Sequence, residues 1–242
     1  MKNNFAGYYR LSENEFIKLW KDCLFVLDAN VLLNLYRYPK GATKDLIKVL
    51  KRISDRLWVP HQVALEYQEN RLKVIAEQMK RFDDVRKILA ESSNSLRNKF
   101  GELQLKKRHS SIDPEAFLMK IESEYSEFTA NLTLLEKEQQ DVSSEDTLRN
   151  ELDELLNGKT GMPFPSTKLE ELYKEGKIRY EQKCPPGYED IGKGKPSDKE
   201  GLCYFYNGLS IKREYGDLIL WYQIIDEAKL KKYQAHCFCY RR

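Results

Sequence analysis

Apolar positions along this chain follow two rhythms, and each predicts a different kind of element. Leu24 to Leu27 are four apolar residues in a row, which reads as a short buried strand. Asp28 ends the run, and Val31, Leu32 and Leu35 then resume at helical spacing. Upstream, Ser12 followed by Glu15 has capping-box spacing and predicts a helix through about Trp20. Downstream, Pro39 breaks the chain, because proline disfavours helix at the residue before it. Leu46, Ile47, Val49, Leu50 and Ile53 mark a helix over 42–56, and Leu57-Trp58-Val59-Pro60 a second strand. The order β–α–α–β–α points to an α/β fold with a parallel sheet flanked by helices.

The helical rhythm then runs far beyond ordinary length. Ile75, Met79, Phe82, Leu89, Leu96, Phe100 and Leu103 keep steps of three, four or seven. Ser110 to Pro114 is a break, with Pro114 suited to the first helical position. Phe117, Ile121, Tyr125, Phe128, Leu132, Leu135 and Val142 carry a seam back, with Leu148, Leu152 and Leu155 as its extension. The expectation is a long antiparallel helical hairpin over 67–157, inserted in a single domain spanning 1–242. Arms of about forty residues would reach roughly 60 Å at ~1.5 Å per residue. Core packing accounts for the stripe, so it is assigned no chemistry. Ser166 opens a helix through Tyr173 that Gly176 should stop, 184–203 reads as a loop, and Gly216-Asp217 opens an apolar helix. No internal repeat is evident.

Composition adds constraints. The 242 residues are 41% hydrophobic and 12% aromatic, enough for a core, and 33% charged, which suits long solvated helices. A net charge of +3 gives no global basic field, so any grip on phosphates must come from a local patch. No apolar run approaches the ~20 residues of a membrane span. The five cysteines are odd in number and lack zinc-ribbon spacing, so reduced thiols in a cytoplasm are expected. His236, Cys237 and Cys239 crowd three ligand types into four residues, a poor geometry for structural zinc. His61 reads as a helix-entry residue and not a ligand.

Three acids recur in equivalent settings. Asp28 follows the first strand, Glu66 follows the second by one and a half helical turns, and Asp217 sits in the first turn of the last helix. A carboxylate at the carboxyl end of a parallel strand lies where open α/β sheets place ligands. The ordinary reading of Asp28 alone is a helix N-cap. Carboxylates that converge repel one another unless cations lie between them, and hard oxygen donors suit Mg²⁺ or Mn²⁺. Asp190 is a fourth candidate, weighed equally against a plain turn acid. Around it lie Lys193, Lys195, Lys212 and Arg213 with Tyr188, Tyr204 and Tyr206. Such a basic, tyrosine-bearing loop can hold a single-stranded backbone by charge and stacking, although a solvated loop is the commoner case.

The run from Phe25 to Tyr38 resembles the opening motif of the PIN-like nucleases, in particular a bacterial PIN-like family with a long helical insertion. Trp58-Val59-Pro60 to Glu66, Pro185 to Asp190, and Tyr215 to Trp221 resemble that family in its order. The resemblance implies a metal-dependent nuclease, with RNA favoured, in which Asp28, Glu66 and Asp217 hold the metal and Asn30 supports the first acid. The hairpin would then be a specificity arm or the dock of a protein partner. The alternatives are a non-catalytic nucleic-acid- or protein-binding module, or an assembly module whose acids only cap helices. The family pattern also implies a further strand and acid near the end, where Lys232 to Arg242 gives neither. With A/T-rich codons, a shift of one base turns this tail into Asn-Ile-Lys-His-Ile-Val-Phe-Val-Thr-Glu-Asp. The expectation is therefore that 232–242 is out of frame after a slip near Lys231, truncating the chain and leaving this copy weak or inactive.

Overall fold

The computed structural model describes residues 1, 4–5, 8–108, 111–194, 201–231 and 236–239. Two compact units emerge, one formed by 1–69 with 147–242 and the other by 70–146.

The first unit is built on a parallel sheet in the order β2-β1-β5, with β1 at Leu24–Leu27, β2 at Leu57–Trp58 and β5 at His236–Cys239. Phe25 pairs with Leu57 on one side and Cys237 on the other. All four residues of β1 are buried, which is why the run is apolar without alternation. No strand pattern announces β5, since His-Cys-Phe-Cys has neither the β-branched content nor the acid expected there. Its backbone nonetheless pairs with β1 over four residues. An unpaired edge on a buried strand would leave backbone groups without partners. The rest of the tail, 232–235 and 240–242, lies outside the described residues.

Helix α1, Glu13–Asp22, carries the capping box of Ser12 and Glu15, yet none of its residues is buried. It touches the sheet through Trp20, whose ring meets Phe25 edge-on at 5.2 Å. Helices α2, Ala29–Asn34, and α3, Lys40–Arg52, fill the β1–β2 connection. Helix α4, His61–Glu102, starts in the first unit and continues through the second.

In the second unit α5 spans Leu105–Arg108 and α6 Glu115–Lys137. Arg86 meets Glu136, Ser92 meets Tyr125, Arg97 meets Glu122, and the rings of Phe100 and Phe117 lie 6.3 Å apart. Partner numbers fall on α6 as they rise on α4, so the two helices run antiparallel. The expected seam holds on α4 from Ile75 to Phe100 and changes on α6. Leu118 and Leu132 are buried there, while Phe117, Phe128 and Leu135 are at least half exposed. A seven-residue repeat drifts around a straight helix, so Leu118 from beside the nominal stripe joins Leu132 from within it. Helix α6 also ends at Lys137, short of Val142. Helix α7, Thr147–Leu156, does not extend the seam: it belongs to the first unit, where Leu152 and Leu155 are buried.

After α7 the chain joins the sheet edge. Val59 N–H donates to Lys159 O and Gly161 N–H to Val59 O, both at 2.9 Å. Helix α8, Ser166–Glu181, passes straight through Gly176. That glycine is buried, and a Cβ there would stand 2.6 Å from the Tyr215 ring, so it serves close packing instead of ending the helix. Within the expected loop, 188–194 forms 3₁₀ turns. Beyond it β3, Cys203–Tyr206, and β4, Leu209–Lys212, form a hairpin. Asn207 and Gly208 supply its turn, both at positive φ, the requirement of a two-residue hairpin loop. Helix α9, Gly216–Lys231, closes the unit. Among the described residues no helix is long and apolar enough to cross a membrane.

Candidate active site

Asp28 leaves the carboxyl end of β1 and occupies the N-cap position of α2, but its side chain makes no capping hydrogen bond. Its carboxylate instead accepts from Asn30 Nδ2 at 3.1 Å. The residue is 5% exposed, and burial raises its pKa, partly offset by the Asn30 bond. Asp28 thus holds the N-cap position, where the Ala29 and Asn30 backbone N–H groups also favour its charged form, and the Asn30 side chain is a further donor to the same carboxylate.

Glu66 lies on the first part of α4. Burial raises its pKa to about 7, with the negative charges of Asp28 and then Asp217 adding to the rise and Lys193 opposing it. A carboxylate feels two others in this way only when all three share one region. Asp217, in the first turn of α9, reaches that region because α9 and α4 are tied together: Gln62 N–H, one of the orphan donors of the α4 first turn, donates to Gln223 Oε1 at 3.0 Å. Gly187 also locks against Asp217. Its φ is +83°, and a Cβ there would lie 2.8 Å from Asp217 Cβ and 2.7 Å from Tyr180 Oη.

Asp190 is tied into the same loop. Its N–H donates to Gly187 O at 2.9 Å, and its Oδ2 pairs with Lys193 Nζ at 2.6 Å. Burial works against the Lys193 charge, but Asp190, Glu66 and Asp217 outweigh it and hold the ammonium above its ordinary pKa. Lys193 is thus a counter-charge inside the acidic cluster. The other basic candidates lie on the hairpin side. Lys212 Nζ sits 4.9 Å from the Tyr173 ring centroid, and the Arg213 guanidinium 4.3 Å from that of Tyr204. Lys195 lies outside the described residues. His61 is buried, meets Tyr206 edge-on at 4.8 Å, and has its pKa lowered by burial, which suits a packed helix-entry residue.

One residue near the cluster had no sequence signal of its own. Tyr180 is 4% exposed, and its hydroxyl has no hydrogen-bond partner among the described residues. Burial and the charges of Asp217 and Asp190 hold it un-ionised well above the ordinary tyrosine range. Only the spacing Leu169, Leu172, Gly176, Tyr180 marks it as facing inward.

The donor set is all oxygen, which fits a hard divalent cation. Among the described residues no group of three or more His, Cys, Asp or Glu side chains stands ready to hold a metal ion. Mg²⁺ commonly takes only one or two carboxylates and keeps several waters, so it does not require such a group.

The sequence pattern of the PIN-like domain matches residues 24–236, from the first residue of β1 to the first residue of β5. No curated protein and no solved structure matches the chain. The matched stretch contains Asp28, Glu66, Asp190 and Asp217 along with β1 and β2, and on that span the chain belongs to the PIN-like domain family, whose fold is of the nuclease type.

Proposed function

We propose that this protein is a divalent-metal-dependent nuclease that hydrolyses phosphodiester bonds, with single-stranded RNA as the favoured substrate. The observation that carries the reading is the rise of the Glu66 pKa to about 7 under burial and the charges of Asp28 and Asp217. Three acids from distant parts of the chain are held together at an energetic cost, and such clusters mark functional sites. Asp28, Glu66 and Asp217 would hold Mg²⁺ or Mn²⁺, with Asp190 at the margin. The ion supplies charge neutralisation on the phosphodiester and a more acidic bound water. Asn30 orients the Asp28 carboxylate through its 3.1 Å bond. Lys193 holds the cluster together and, with Lys195, Lys212 and Arg213, offers positive charge to a nucleic-acid backbone. The hairpin formed by α4 and α6 is read as an insertion that selects substrates or docks a protein.

The test is cleavage of single-stranded RNA with Mn²⁺ by wild type and Asp28→Asn. Metal-dependent cutting that the variant loses by a factor of a hundred or more, on the order of ~3 kcal/mol in barrier, is expected. Equal cutting by both, or none by wild type, overturns the enzyme. A second reading has its own support. Phe117, Phe128 and Leu135 are all at least half exposed along one stripe of α6, an apolar surface suited to a protein partner. If wild type binds RNA without cutting it, a binding module built on that hairpin is the better account.

A further inference from the structure

Beside Asp217 the first unit carries a cavity of about 300 Å³ that borders the acidic cluster. Its walls are Pro186 and Tyr188 on one side and Leu220, Trp221 and Ile224 of α9 on the other. Leu220 and Ile224 are buried, whereas Trp221 is 46% exposed and so shows part of its ring to solvent. The loop wall is fastened: Arg179 Nη2 donates to Pro185 O at 2.6 Å, and Asp190 N–H closes back on Gly187 O. Glu189, Asp190 and Asp217 are among the lining residues alongside these apolar groups.

That combination selects its occupant. Apolar walls with an indole suit a flat heteroaromatic ring, since bases stack on aromatic side chains. An acidic rim repels phosphate and accepts hydrogen bonds, so the ring must present N–H groups. The volume lies at the lower end of the ~300–1,000 Å³ range of ligand pockets, room for one ring system and not for a stretch of strand. Among the bases, guanine alone offers an adjacent ring N–H and amino group, which pair with one carboxylate through two parallel bonds. Asp190 is engaged by Lys193, and Asp217 belongs to the cluster with Asp28 and Glu66. Glu189 is exposed and makes no ion pair with another described residue.

We propose that this cavity is a nucleobase subsite for guanine, with Trp221 as the stacking surface and Glu189 as the acceptor of the guanine N–H pair. The inference rests on the nuclease reading and deepens it: the base of a nucleotide next to the scissile phosphate enters the cavity, and the enzyme favours cutting beside guanosine.

The experiment is quenching of tryptophan fluorescence by free nucleosides in metal-free buffer. Guanosine should bind at least about tenfold more tightly than uridine, and inosine, lacking the amino group, about tenfold more weakly than guanosine. Glu189→Gln, which keeps Trp221, should erase the preference for guanosine over inosine. Trp221→Ala should abolish guanosine binding measured by equilibrium dialysis. Equal binding of all nucleosides, no binding at millimolar concentration, or an unchanged preference in Glu189→Gln overturns the proposal. Guanosine has no phosphate and the buffer no metal, so the two readings fail separately. Binding without cleavage would sink the nuclease alone, and cleavage without guanosine binding would sink the subsite alone.

Discussion

Replacing Glu66 by Gln should stabilise the protein, and only at high pH. Glu66 has a folded-state pKa of about 7 against an ordinary value of 4.5, raised by burial and then by Asp28. Below about pH 4.5 the group is protonated in both folded and unfolded chains and costs nothing. Above about pH 7 it is ionised in both, and the folded state bears the full penalty. Stability is therefore present at low pH and lost as pH rises through this window. At 1.36 kcal/mol per pH unit, the gap of roughly two and a half units is worth about 3 kcal/mol. The value of about 7 already includes the attraction to Lys193, so glutamine is expected to gain up to about 3 kcal/mol at pH 8.5. At pH 4 the two proteins should differ by less than about 0.5 kcal/mol. Trp20, Trp58 and Trp221 all lie in the first unit, so fluorescence-monitored urea unfolding with EDTA reports the unit that holds the site. Added Mn²⁺ should stabilise wild type more than the variant. A stability difference that is the same at both pH values, or a variant weaker than wild type at pH 8.5, would refute the shared acidic cluster.

Gly187→Ala should cost about 1–3 kcal/mol of stability and most of any cleavage activity, because the new methyl strikes Tyr180 and Asp217 at a φ of +83°; wild-type activity would show that the loop does not position Asp217. Deleting Lys73 to Gln139 and closing the gap with a short flexible linker should leave the first unit folded, seen as a retained buried-tryptophan signal from Trp58; aggregation of the deletion protein alone would place the hairpin in the core. The frame reading has a test in the gene. The one-base shift puts Ile-Val-Phe-Val on 236–239, where the backbone already pairs with β1 as His-Cys-Phe-Cys, a pairing that the out-of-frame expectation did not call for. Resequencing should reveal the slip near Lys231 with the shifted frame open beyond it, and unrelated DNA there sinks the idea.

Whatever depends on neighbours along the chain was readable from the sequence alone. The capping box of Ser12 and Glu15, the buried run Leu24–Leu27 and the long helical rhythm through Phe100 are local patterns, and each appears where the pattern put it. Asp28, Glu66 and Asp217 were legible as candidates because strand ends and first helical turns can be counted. Their mutual influence was not, since it depends on Gln223 tying α9 to α4 and on Gly187 fitting against Asp217. Gly176 looked like a helix stop because intrinsic propensity disfavours it, yet contact with Tyr215 outweighs a cost of ~1 kcal/mol. The β3–β4 hairpin went unread despite Asn207-Gly208, its short strands being masked by the polar loop before them. Which residues of α6 face inward, and that α7 packs in the first unit, were decided by the surface each helix found to bury against. Periodicity fixes the existence of an apolar face; only a partner surface fixes its direction. Lys193 makes the same point in charge, because a lysine in a polar loop becomes a counter-ion only when folding brings Asp190, Glu66 and Asp217 around it.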